Sequence, residues 1–143
     1  MSNIHAALGL AQLEQLDKFI HRKRAIGRLY TDLLQQTPGL QLPLSGTNYA
    51  ENLYWVYAVV LDEDVAFDAA AMMAKLAAEK IGTRPFFWPM HEQPVFLRRG
   101  WFKDESHPVA ERIARRGFYV PAGLATTDEQ IGRVASAVRK CIA

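Results

Sequence analysis

Tyr54-Trp55-Val56-Tyr57-Ala58-Val59-Val60-Leu61 is the stretch on which the fold turns. It is β-branched and aromatic without a charge, and it reads as a strand buried on both faces. Asp62-Glu63-Asp64 makes the turn after it, and Leu40 to Asn52 forms the loop before it. Upstream, Ser2 to about Gln36 predicts one long helix with Ser2 as N-cap. Apolar residues recur there near the 3.6 period, at Leu13, Leu16, Ile26, Leu29/Tyr30 and Leu33/Leu34. The start, Ile4 to Ala11, is apolar on most sides, which predicts a buried head. His21-Arg22-Lys23-Arg24 predicts a solvated middle, and Thr37-Pro38-Gly39 the end. Downstream, Asp68 to Lys80 predicts a second helix stopped by Gly82. Thr83 to Trp88 predicts a short strand, confined to an edge by Pro85 and Pro89. Pro94 to Arg98 reads as one helical turn. Pro108 suits a helix N1 position, with Ser106 or His107 near the cap and the helix running to Arg116. Gly117 breaks it, and Phe118-Tyr119-Val120 is a short strand stopped by Pro121. Thr126 or Thr127 caps a last helix whose Asp128-Glu129 start and Arg139-Lys140 end complement the helix dipole. The sum is an α+β layer, a sheet of about three strands with helices on one side.

The chain has 143 residues, 50% hydrophobic and 22% charged, which fits one domain and excludes disorder. A domain of this size buries roughly 68–70% of its unfolded surface, so its core needs neither disulfides nor metal. No apolar run approaches the roughly 18 residues of a membrane helix. Met1 is followed by Ser-Asn-Ile-His, which is no secretory leader. One cysteine, Cys141, excludes an intrachain disulfide and agrees with a cytoplasmic location. It reads as a core or subunit-contact thiol. A net charge of +2 steers nucleic acid weakly. The basic clusters His21 to Arg24, Arg98-Arg99 and Arg112 to Arg116 come with no nucleic-acid-binding motif and read as solvated helix faces.

The densest chemistry lies in Thr83-Arg84-Pro85-Phe86-Phe87-Trp88-Pro89-Met90-His91-Glu92-Gln93-Pro94. Aromatic walls with a few fixed polar groups suit a small-molecule pocket. Arg84 can hold an anionic group by a forked hydrogen bond, Trp88 can stack on a ring or sugar face, and His91 can donate to a hydroxyl or carboxylate. The plainer alternative is a hydrophobic loop packed across the sheet. His5, His21, His91 and His107 show no zinc-ligand spacing, so no metal site is expected. Ser106-His107 lacks a nucleophile-elbow context and reads as a helix cap.

The opening Met1-Ser2-Asn3-Ile4-His5-Ala6-Ala7-Leu8-Gly9-Leu10-Ala11-Gln12-Leu13 resembles the start of the C-terminal segment of the sugar-nucleotide aminotransferases of the DegT/DnrJ/EryC1/StrS type. The likeness continues through Tyr54 to Tyr57, Ile81-Gly82-Thr83-Arg84-Pro85, Pro89-Met90-His91, Pro108 to Arg112, Val120-Pro121 and Thr127 to Ile131, in order along the whole chain. The loop from Arg84 to His91 looks most like the perosamine-synthase branch, which acts on nucleotide-linked 4-keto-6-deoxy sugars. The resemblance implies the small domain of a fold-type I, pyridoxal-phosphate-dependent enzyme that takes its amine from glutamate and works as a dimer. It implies that Arg84, Trp88 and His91, with Tyr54 as a weaker candidate, border the sugar or amino-donor pocket. It also implies that Ser2 and Asn3 lie near the cofactor at the dimer contact.

One departure weighs against activity in this chain alone. The family's chemistry needs a lysine, because only an amine condenses with the cofactor aldehyde. None of Lys18, Lys23, Lys75, Lys80, Lys103 and Lys140 stands in the family's His-Lys motif followed by Gly-Glu-Gly-Gly. The resemblance therefore implies a connecting helix (residues 1–36) and a small C-terminal domain (residues 37–143), without the large cofactor-binding domain. It implies a chain that binds no cofactor and is not catalytic by itself. The competing expectation is a non-catalytic binding or oligomerisation module built on the apolar helix and the aromatic loop.

Overall fold

A computed structural model describes residues 1–143. Two helices, α1 (Asn3–Leu13) and α2 (Leu16–Leu34), open the chain. They are followed by β1 (Leu40–Gln41), β2 (Tyr57–Leu61), α3 (Ala69–Ala78) and β3 (Arg84–Pro85). After a 3₁₀ turn at Met90–Glu92 come α4 (Pro94–Arg98), α5 (Pro108–Arg116), β4 (Gly117–Val120) and α6 (Asp128–Ile142). The class is α+β, as the sequence predicts.

The sheet has four strands rather than three, antiparallel throughout, in the order β1-β2-β4-β3. The extra strand is β1, which pairs Leu40 with Leu61 and Gln41 with Val60. Two residues are too short a run to show an alternating pattern, so the segment reads as loop in the sequence. Gly39 turns the chain into it with φ of +80°, a conformation glycine tolerates. The β2 strand starts three residues later than its aromatic run, because Tyr54 sits at φ of 55° and bends the chain away from the sheet.

The strand pair β2–β4 carries the core. Its register sets Tyr57 opposite Val120 and Val59 opposite Phe118, all four buried on one face. Against that face lie Ile26, Tyr30 and Leu34 of α2, Met72 and Leu76 of α3, and Ile131 and Val138 of α6. The other face shows Ala58 opposite Tyr119, both only half-buried. Helix α6 packs on α2 and α3, and its start is held by a capping box between Thr127 and Gln130.

Four local expectations are corrected. The first helix is broken: Gln15 has φ −102° and ψ 4°, and no proline or glycine marks the break. Its head is not buried, since residues 1–18 are exposed and α1 has no buried residue. Its middle is not solvated either. Arg22 donates to Asp128 at 3.0 Å and to the Thr126 carbonyl, Lys23 to the carbonyls of Trp55 at 3.0 Å and Ala122 at 2.5 Å, and Arg24 pairs with Glu51 at 2.7 Å. Helix α3 ends before Gly82. Lys80 takes the left-handed conformation at φ 60°, and Ile81 N–H closes back on the Leu76 carbonyl at 3.0 Å, with both side chains in the core.

Candidate functional site

The open face of the sheet and the loop after β3 form two adjoining sites. The first is a groove of about 680 Å³ between the β2–β4 pair and the start of α2. Trp55, Tyr119, Phe19 and Leu124 supply apolar walls, and Lys23 and Arg84 supply cations. None of its lining residues is acidic. Arg84 reaches it because β3 pairs Arg84 with Tyr119, placing both on the open face. Burial pulls the Lys23 ammonium below the ordinary lysine range, yet that ammonium is already tied to two carbonyls. Phe87 extends the aromatic wall: its ring is parallel to Trp55 at 6.1 Å and lies 6.3 Å from Tyr119.

The second site is built where the 3₁₀ turn meets α5. His91 is 8% exposed, and its Nε2 lies 3.0 Å from Glu111 Oε1. The same oxygen accepts the backbone N–H of His107 at 2.8 Å. Those two bonds hold the Glu111 carboxyl below the usual carboxylate range, the backbone N–H first. His107 caps α5 without a side-chain bond, and Glu111 instead accepts the backbone N–H of that cap residue. One turn further, Arg115 donates to Glu92 at 2.8 Å and lies 5.0 Å over the Trp88 ring. Gln93 donates to the Trp88 carbonyl at 3.2 Å. His91, Glu92 and Glu111 each offer an atom within 4.8 Å of the others. That spacing would admit a cation, but Glu111 Oε1 and Glu92 Oε1 already serve His91, His107 and Arg115.

Of the residues singled out in the sequence, Trp88 and His91 are brought together, and Arg84 lies in the adjoining groove. Tyr54 is elsewhere. It is 3% exposed, stacked 5.9 Å from Tyr57, with its ring against Gly27 at the edge of a polar hollow lined by Arg24 and Arg28. Ser2 and Asn3 are exposed at the start of α1, where Ser2 caps the helix through His5 N–H. Glu111, Arg115, Trp55, Tyr119 and Lys23 were not singled out. The i,i+4 spacing of Glu111 and Arg115 on a predicted helix was the available signal for the first two.

A family model described as the DegT/DnrJ/EryC1/StrS aminotransferase family matches residues 1–139. The chain belongs to that family. It is 33% identical to GDP-perosamine synthase of Escherichia coli O157:H7 over 131 residues, covering 92% of this chain and 34% of the relative. It is 29% identical to GDP-perosamine synthase of Vibrio cholerae over 140 residues, covering 97% and 37%. Among solved structures it is similar to the crystal structure of DesI in the presence of its TDP-sugar product, with a TM-score of 0.83 and 29% identity over 99% of this chain and 36% of DesI. The chain thus spans about a third of the length of these family members. The likeness favours the aminotransferase expectation over the free-standing binding module.

The family is pyridoxal-phosphate-dependent, and the residues present here do not by themselves fit that cofactor. It needs a free amine beside a carboxylate and phosphate donors. In the groove the amine is the engaged Lys23 and a carboxylate is lacking. Lys75 bonds the Cys141 carbonyl and Lys140 bonds Glu79, both outside the groove.

Proposed function

We propose that this chain forms the C-terminal, substrate-side part of a pyridoxal-phosphate-dependent aminotransferase acting on a nucleotide-linked 4-keto-6-deoxy sugar. Glutamate is the amino donor, and the protein works as a homo-oligomer in the cytosol. Bound cofactor would supply the aldehyde that carries the amino group, and the lysine that holds it belongs to a large domain outside these residues. Within the chain, residues 1–36 are the connecting segment and residues 37–143 the small domain. Arg84 holds an anionic group, and Trp88 and His91 border the sugar or amino donor. Ser2 and Asn3 approach the cofactor across the subunit contact, and Tyr54, which lies by the separate hollow of Arg24 and Arg28, is the weaker candidate for the pocket border.

The observation that carries this reading is the family match over residues 1–139, in a chain whose groove pairs two cations with aromatic walls. The exposed apolar residues Ile4, Leu8, Leu10 and Leu13 support it, because such a surface suits burial against a further domain.

The chain by itself is expected to bind no cofactor and to transfer no amine. Pyridoxal phosphate followed by borohydride should label no single lysine, and a stable adduct confined to one lysine would overturn that part. Joined to the portion of the E. coli perosamine synthase that it does not match, it should complete a transaminase. In that chimera Arg84→Ala, Trp88→Ala and His91→Ala should each lower kcat/KM about tenfold or more, about 1.4 kcal/mol each. Cofactor absorbance should stay unchanged. Unaltered kinetics in all three would reject the pocket assignment.

A further inference from the structure

Glu111 and Arg115 are one helical turn apart on α5, and both grip the loop that carries Trp88 and His91. Glu111 reaches His91 and Arg115 reaches Glu92 and Trp88, so a single helix face sets both side chains.

The chemistry at Glu111 fixes more than position. An ionised carboxylate accepts hydrogen bonds and cannot donate. The His107 N–H locks Glu111 Oε1 in place at 2.8 Å, and His91 Nε2 meets that same oxygen at 3.0 Å. The proton between them therefore sits on Nε2. Neutral imidazole carries one proton, so His91 Nδ1 holds a lone pair. Nδ1 makes no hydrogen bond within the chain and is not sealed from solvent. In that neutral form the one N–H of His91 is already engaged by Glu111.

We infer that Glu111 and Arg115 are positioning residues of the candidate pocket: Glu111 fixes an N–H of His91 on Nε2, so that in its neutral form the ring presents Nδ1 as an acceptor for a ligand hydroxyl or ammonium, and Arg115 holds the plane of the Trp88 ring. The inference rests on the reading of Trp88 and His91 as pocket residues. A ligand hydroxyl or protonated amine is recognised by such an acceptor, whereas a carboxylate is repelled from its lone pair.

Nuclear magnetic resonance on the full chain, with no substrate present, tests this directly. At mildly alkaline pH the wild type should show a slowly exchanging His91 ring proton, coupled to Nε2. Glu111→Gln keeps an acceptor oxygen and should retain that signal. Glu111→Ala should lose it to exchange with water. Arg115→Ala should move the Trp88 indole resonance while leaving those of Trp55 and Trp101 in place, and Arg115→Lys should restore part of the shift. A ring proton on Nδ1, a signal that survives in Glu111→Ala, or an unmoved Trp88 would overturn the inference. Where Glu111→Ala fails to fold, the wild-type and Glu111→Gln spectra decide. These signals do not depend on substrate, so they stand or fall separately from the chimera kinetics that test the pocket itself.

Discussion

The ring of Tyr54 lies so close over Gly27 that a β-carbon on Gly27 would fall 2.3 Å from Tyr54 Cγ. This contact lets α2 approach the bend that precedes β2, and it stacks Tyr54 on Tyr57 and Tyr57 on Tyr30. Alanine at position 27 would gain about 1 kcal/mol of helix propensity. It would also force Tyr54 out of a packed core, a change that costs about 1–3 kcal/mol and sometimes more. Gly27→Ala is therefore expected to destabilise, despite the helical position. Urea unfolding should show a lower midpoint at an unchanged slope, and a midpoint at or above wild type would refute the contact.

Arg116 ends α5 and donates to the carbonyls of Leu61, Asp62, Val65 and Phe67. It thereby closes the turn between β2 and α3 on a fixed fork of N–H groups. Hydrogen bonds to a charged group contribute about 1.5–3 kcal/mol. Arg116→Met, which keeps the stem, is expected to cost at least that much. Arg116→Lys should recover less than half, because one ammonium cannot span several carbonyls as a guanidinium does. Thermal unfolding of the two variants checks this, and equal melting points for lysine and arginine would contradict it.

Helix α1 buries none of its residues. Eleven residues fall below the roughly 12–15 at which an isolated helix becomes even marginal in water. Removing residues 2–13 is expected to change the stability of the remainder by less than about 0.5 kcal/mol. Hydrogen exchange should find the α1 amides unprotected while those of β2 and β4 stay protected. A large loss of stability would mean that α1 supports the core.

The elements with their own physical signature are visible in the sequence. The apolar run Val59-Val60-Leu61, the cap Thr127 and the proline at 108 all lie where the pattern places them. Strand β1 is not visible, because its two residues pair only through partners about 20 positions away. The burial of α1 misleads for a related reason. Hydrophobic periodicity says that a face wants cover, not whether the chain supplies it. At the site, the chemistry-rich loop Arg84 to His91 announces its candidates. What the loop meets does not show, because Glu111 and Arg115 look like ordinary charges on a polar helix until the fold brings α5 against it.

Tyr57 and Tyr30 make stability sensitive to alkali. Burial pushes the Tyr57 phenol up to about 12, only partly offset by its hydrogen bond to Thr31 at 3.0 Å. Burial raises Tyr30 further still, and its hydroxyl donates to the Pro121 carbonyl at 2.7 Å. An unfolded tyrosine titrates near about 10. Above that pH the unfolded chain sheds its phenolic proton while the folded chain keeps it, so the folded state binds more protons and stability falls as pH rises. The melting temperature should therefore hold steady through neutral pH and drop from about pH 10 to 12, with tyrosinate absorbance appearing together with unfolding. Tyr57→Phe removes one of the two groups. It should start less stable at neutral pH, having lost the Thr31 contact, and decline less steeply above pH 10. A variant whose melting curve parallels wild type across that window would show that Tyr57 titrates as an exposed phenol and does not stay protonated in the core.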